Sequence, residues 1–171
     1  MSANRPANRD FGIFEVEAGG GRLALCPMPG RYGDYPGDLQ TILGWGPGLV
    51  LTMATGSELA AYGAATLSVD LANRGIEWRH LPVEDFSAES AALRDGWAGV
   101  SREARTLLSD GGRVLTHCLG GCGRSGMAVL RIMTELGEAA DAALTRLRTI
   151  RPCAVETAAQ RLWAAGGATQ R

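Results

Sequence analysis

Apolar and polar residues change their period several times along this chain, and those changes predict its elements. Residues 11–17, F-G-I-F-E-V-E, alternate well enough for a strand. The glycines of 18–22 make a turn into a second strand at 23–26, so the pair predicts an antiparallel hairpin at a sheet edge. Residues 27–37 hold too many prolines and glycines for regular structure and form a long connection of the kind that often carries function. Asp38 is the expected cap of a short helix over 39–45, and the apolar run 48–53 predicts a buried parallel strand.

A further helix opens at 55–59 with Ser57 as its candidate cap, another covers 64–73, and 76–81 alternates as a strand. After a loop over 82–88, Ser87 or Ser90 caps a long helix that runs through Leu108 and ends at Ser109-Asp-Gly-Gly112. Residues 113–116 are a short apolar run. From Met127 apolar residues recur at helical spacing as far as 137, and further helices follow over 138–150 and 156–165, broken at Arg151-Pro152. Strands separated by helices predict an α/β domain with a mostly parallel central sheet flanked by helices. Residues 1–10 read as a flexible tail and 11–171 as one domain, because the composition does not shift and no segment repeats. Trp45, Trp78, Trp97 and Trp163 read as core anchors, and His80 as structural or exposed.

Composition narrows the partners. A net charge of −1 and a pI near 6.1 give no overall basic footprint, so nucleic acid is not expected. No apolar run approaches the roughly 18 residues that span a bilayer, and the arginines at the N-terminus precede no apolar stretch, so neither a membrane span nor a secretory signal is expected. The four cysteines, 26, 118, 122 and 153, are then expected to be reduced thiols in the cytoplasm of a monomeric protein.

The chemistry lies in 113–126, R-V-L-T-H-C-L-G-G-C-G-R-S-G, a strand, a glycine loop and the start of a helix. A thiol stands at the loop's floor, at the positive end of a helix dipole, and the backbone amides of Leu119, Gly120, Gly121, Cys122, Gly123 and Arg124 can converge on a tetrahedral dianion. The five-residue spacing brings Arg124 back to clamp two anion oxygens. The helix N-terminus and the guanidinium favour a thiolate on Cys118, a nucleophile for phosphorus. Ser125 is placed to stabilise the sulfur as a leaving group, and His117 to fix the loop through its ring nitrogens without exchanging the proton. A poor alkoxide or phenoxide leaving group needs a general acid. Glu84 and Asp85 are the candidates, in the loop after a neighbouring strand.

These residues resemble a known family. His117-Cys118-Leu-Gly-Gly-Cys-Gly-Arg124-Ser125 is similar to the H-C-x5-R-S signature of cysteine-dependent protein tyrosine and dual-specificity phosphatases, in the form seen in the kinase-associated branch and its small microbial relatives. Leu25 to Gly30, Gly56 to Leu59, His80 to Asp85 and Ile150 to Thr157 have counterparts in order. The resemblance implies the protein tyrosine phosphatase-like fold, a phosphocysteine intermediate, Asp85 as general acid, and no metal or cofactor. It implies that Gln160 helps to position the hydrolytic water, where the residue alone reads as polar on an exposed helix face. Cys122 and Cys153 depart from the family pattern. Cys122 reads first as a small packing residue facing away from phosphate, and second, with Cys153, as a thiol able to resolve an oxidised Cys118.

The expected activity is hydrolysis of phosphoprotein monoesters, phosphotyrosine before phosphoserine or phosphothreonine. The rivals are a phosphatase of phosphoinositides or RNA 5′-phosphates, a phosphate-reading binding module, and a sulfurtransferase or reductase. The loop has no lysine for a highly charged substrate, and the nucleophile, the arginine and a candidate acid are all present.

Overall fold

Five strands form one sheet, in the order β1-β2-β5-β3-β4, in the computed structural model, which describes residues 10–169. β1 (Phe14–Ala18) and β2 (Gly21–Cys26) are the antiparallel hairpin at the edge. β3 (Leu49–Thr52), β4 (Glu77–His80) and β5 (Arg113–His117) complete it, with β2, β5, β3 and β4 parallel to one another. The register sets Cys26, His117, Thr52 and His80 in one row across the carboxyl ends of the four parallel strands. Loops leaving that row meet at one crevice, where α/β sheets bind ligands. The mostly parallel α/β sheet expected from the sequence is the one observed.

Alternation along the strands sends side chains to two cores. Leu23, Leu25, Leu49, Leu51 and Val114 pack on one face against α4 (Ala91–Ser109), α5 (Gly123–Glu135) and α6 (Ala140–Ile150). Ala24, Cys26, Val50 and Leu115 pack on the other against α1 (Tyr35–Trp45), α2 (Gly56–Ala61) and α3 (Leu67–Ala72). Being covered on both faces, β3 is buried along its whole length, which is why it reads as an unbroken apolar run. α7 (Ala158–Ala165) and a 3-10 turn, Gly166–Thr169, lie against α5, which is buried from Gly123 to Thr134.

Two caps differ from expectation. α1 begins at Tyr35, where the Asp34 side chain accepts from Gly37 N and proline occupies the first turn. Asp38 lies inside that helix, buried, and accepts from Gly30 N at 2.8 Å, so it ties down the 27–37 connection instead. α2 is capped by Thr55 and not by Ser57. Ser90 caps α4, accepting from Leu93 N at 3.0 Å. Of the 1–10 tail, residues 1–9 lie outside the described residues. Among the described residues no helix is long and apolar enough to cross a membrane.

Candidate active site

The loop from Cys118 to α5 is held by its carbonyl oxygens. Cys118 O faces His117 Nδ1 at 3.1 Å, and Leu119 O accepts from Met28 N at 3.0 Å. Gly120 O and Gly121 O each accept from the Arg151 guanidinium at 3.0 Å, and Cys122 O accepts from Val155 N at 3.1 Å. In a trans peptide the N–H points opposite the C=O. Carbonyls drawn outward by these partners therefore turn the amides of residues 119–123 inward, as an anion cradle requires.

The three loop glycines are not equivalent. Gly121 has φ +71, and a Cβ there would lie 2.5 Å from Pro27 N and 2.6 Å from the Cys26 carbonyl carbon. A Cβ on Gly123 would lie 2.5 Å from a Glu156 carboxylate oxygen, whereas one on Gly120 meets nothing within 4 Å. Gly121→Ala is thus expected to destabilise the protein by roughly 2–4 kcal/mol, from left-handed strain plus a backbone collision. Gly120→Ala is expected to unfold within about 0.5 kcal/mol of the parent, as an open position allows. Urea denaturation of the two variants side by side checks the contrast.

His117 is fully buried, and its tautomer follows from its neighbours. Trp78 Nε1, which can only donate, gives its hydrogen to Thr52 Oγ1 at 2.8 Å. The Thr52 hydroxyl then donates to His117 Nε2 at 2.6 Å, which leaves Nδ1–H for Cys118 O. Burial first, then the charges of His80 and Arg124, push the imidazole pKa down to about 4 from 6.5. The unfolded chain therefore binds more protons than the native protein between those values, and stability rises with pH across that window. Lowering the pH from about 7 to about 4 is expected to remove on the order of 3 kcal/mol through this group. Urea denaturation at several pH values, with His117→Asn flattening the slope, is the check.

Arg124 is 1% exposed. Its Nη1 and Nη2 reach the two carboxylate oxygens of Glu58 at 2.8 Å each, and Nη1 also donates to Val83 O at 2.8 Å. Its Nε is buried with no partner among the described residues, a donor that an oxyanion in the cradle can satisfy. Burial alone would lower the guanidinium pKa, but Glu58, then the charges of Cys118 and Asp85, hold it above its ordinary value. Glu58 is correspondingly lowered: burial opposes its charge, and Arg124 and the Thr55 backbone outweigh burial. Thr55 and Glu58 form a capping box, with Thr55 N donating to Glu58 Oε2 at 2.7 Å and Glu58 N to Thr55 Oγ1 at 3.2 Å. Sequence reasoning missed Glu58. The T-x-x-E spacing was the signal that could have found it.

The other expected residues converge here. Ser125 Oγ is 3.2 Å from Cys118 Sγ, and both are buried. Asp85 Oδ1 lies 3.4 Å from Arg124 Nη2, with 46% of its side chain exposed. The contact to Arg124 is made by Asp85, while Glu84 is exposed on the same loop. Gln160 does not lie on an exposed face: it is 0% exposed, and its Oε1 accepts from Glu156 N and Thr157 N at 2.9 and 3.2 Å. Its Nε2 donates to Ser87 O at 3.3 Å, which ties α7 to the loop that carries Asp85. Tyr35, the first residue of α1, donates its hydroxyl to Asp70 at 2.5 Å.

The cysteines depart from expectation. Cys122 and Cys153 form a disulfide across a sequence separation of 31, so all four thiols are not reduced, and neither of these two is available to resolve Cys118. The chain runs out along α5 and returns along α6 to make the pairing, which linear spacing does not reveal. Cross-linking at this separation stabilises by about 3–4 kcal/mol in the chain-entropy account. Cys26 and Cys118 are free and buried, and burial first, then the Cys118 charge, push the Cys26 thiol well up.

Strand, glycine loop and helix, with this cysteine, serine and arginine beneath the loop that carries Asp85, give the chain the fold of solved protein tyrosine and dual-specificity phosphatases. No protein-family model matches it, and no curated protein does. Among solved structures, the chain is similar to kinase associated phosphatase with serine at the catalytic-site cysteine, at a TM-score of 0.79 and 20% identity over 99% of each chain. It is similar to Tk-PTP in the active form, with a TM-score of 0.71 and 27% identity over 91% of this chain and 97% of the other. PTPMT1 in complex with PI(5)P matches with a TM-score of 0.68 and 18% identity over 86% of this chain and 90% of the other.

Proposed function

We propose that the protein is a phosphoprotein phosphatase that hydrolyses phosphotyrosine monoesters, in preference to phosphoserine and phosphothreonine, through a phosphocysteine intermediate. The observation that carries this reading is the convergence of the buried Cys118 thiol, Ser125 at 3.2 Å from it, and the Arg124–Asp85 pair at 3.4 Å. Cys118 attacks phosphorus in line while Arg124 and the amides of residues 119–123 hold the equatorial oxygens. Asp85 gives its proton to the leaving oxygen, and the phosphoryl group remains on sulfur. Asp85, now a carboxylate, takes a proton from water, which attacks phosphorus and releases phosphate as sulfur departs with a hydrogen bond from Ser125. Gln160, which holds the loop of Asp85 through Ser87 and stands beside Gly123, helps to position that water.

The preference for phosphotyrosine is supported by Phe86, next to Asp85. The residue is 59% exposed and its backbone sits at φ +63, an aromatic residue presented at a strained position. The phosphoinositide belongs to PTPMT1. Here the net charge of −1 and a sequence without a single lysine favour a protein substrate over a highly charged headgroup. The test is turnover of p-nitrophenyl phosphate, inhibited by vanadate and indifferent to chelators, followed by paired phosphotyrosine and phosphoserine peptides of one sequence. Absence of turnover sinks the reading, and a faster reaction with a phosphoinositide than with either peptide replaces its substrate.

A further inference from the structure

We propose that the Cys122–Cys153 disulfide is a positioning device for the anion loop: it keeps the loop amides inward, and its reduction weakens oxyanion binding without changing the nucleophile. The inference rests on the phosphatase reading above. The bridge joins the N-cap residue of α5, where loop becomes helix, to the turn 151–155. That one turn supplies the partners of three successive loop carbonyls, Arg151 for Gly120 and Gly121 and Val155 N–H for Cys122. It is held in an unfavourable shape, because Val155 is β-branched and sits at φ +66. Arg148 braces it from behind, with Nε to Ala154 O at 2.9 Å and Nη2 to Val155 O at 2.8 Å. Its fit is also close, since a Cβ on Gly126 would lie 2.6 Å from Val155 N. A turn strained in itself, on which the direction of the loop's carbonyls depends, is anchored to that loop covalently by the disulfide alone.

Cys153 is exposed and Cys122 partly buried, so the bridge is open to exchange from the Cys153 side. A dithiol reductant attacks the Cys153 sulfur and breaks the bond, and Cys122 departs as a thiolate and takes a proton. The reductant's second thiolate then displaces Cys153 and closes its own disulfide, so two electrons pass from the dithiol to the bridge. With the tether gone, the strained turn relaxes, the Arg151 fork and the Val155 N–H lose their register, and the loop amides lose alignment.

The test uses the full chain carrying Cys118→Ser, which removes the reactive thiol, with tungstate titrated calorimetrically before and after dithiothreitol. Reduction, verified by two newly titrated thiols, is expected to weaken tungstate roughly 3- to 10-fold, about one hydrogen bond's worth of order. Added Cys153→Ser is expected to match the reduced protein and to ignore dithiothreitol. Amide exchange of residues 119–123 is expected to quicken while the middle of β5 keeps its protection, which a bridge that served only global stability does not produce. Equal affinity before and after verified reduction overturns the inference, as does finding Cys26, Cys122 and Cys153 all free in the unreduced protein. Tungstate that binds in neither state defeats the phosphatase reading itself, whereas binding indifferent to reduction defeats only the role of the bridge.

Discussion

Cys118→Ser is expected to lower turnover of an aryl phosphate by roughly 10⁵-fold or more while leaving tungstate or vanadate binding within a few-fold of the parent. The two halves of this outcome come from different parts of the site. The cradle is backbone, positioned by Met28, Arg151 and Val155, together with Arg124 on its Glu58 carboxylate. None of these changes when sulfur becomes oxygen. The nucleophile does change: a serine hydroxyl is a far weaker nucleophile toward phosphorus than a cysteine sulfur. Ser125 is not expected to take over, since it is a neutral hydroxyl itself, buried 3.2 Å from the sulfur. Stopped-flow assays with the parent, and calorimetry with the variant, check the two halves separately. A variant that turns over like the parent removes covalent catalysis from the site, and one that also loses the oxyanion shows that the sulfur was holding the loop.

Much of this arrangement was legible in the chain because it is local. The hairpin is one unbroken stretch, the strand into Cys118, the glycine loop and α5 are another, and each is written in a change of period or in turn residues. Gly121 is required by its own backbone and by β2, while Gly120 meets nothing, so three glycines that look alike in sequence divide only in space. Asp85 was reachable from the topology, because β4 and β5 flank β3 and their loops emerge on one edge. Glu58 was not. Its local environment announces a capping box, which accounts for its position without reference to an arginine 66 residues away that uses both of its oxygens. The helix start at Tyr35 is signalled by Pro36 in the first turn, but Asp38 carries a competing acidic cap signal three residues later. Asp38 is buried where the 27–37 connection folds back onto α1, and that fold-back has no periodic signal in the chain.

The second large effect is expected at Asp85, and its size depends on the leaving group. Asp85→Asn keeps an oxygen to accept from Phe86 N, as Asp85 Oδ1 does at 3.0 Å, so the loop is expected to hold its shape. The loop is also anchored on either side by Val83 O on Arg124 and by Ser87 O on Gln160. What the amide cannot do is release a proton to the departing oxygen. Phosphotyrosine leaves a phenolate whose conjugate acid has a pKa of about 10, so its expulsion without an acid is slow, and a fall of roughly 10²- to 10⁴-fold in kcat is expected. The p-nitrophenolate ion leaves far more readily, so the same variant is expected to lose much less on p-nitrophenyl phosphate. Glu84→Gln, on the exposed side of the loop, serves as the control and is expected to keep the rate on both substrates. Equal losses on both substrates mean that Asp85 serves Arg124 as a counter-charge at 3.4 Å and that the proton comes from elsewhere.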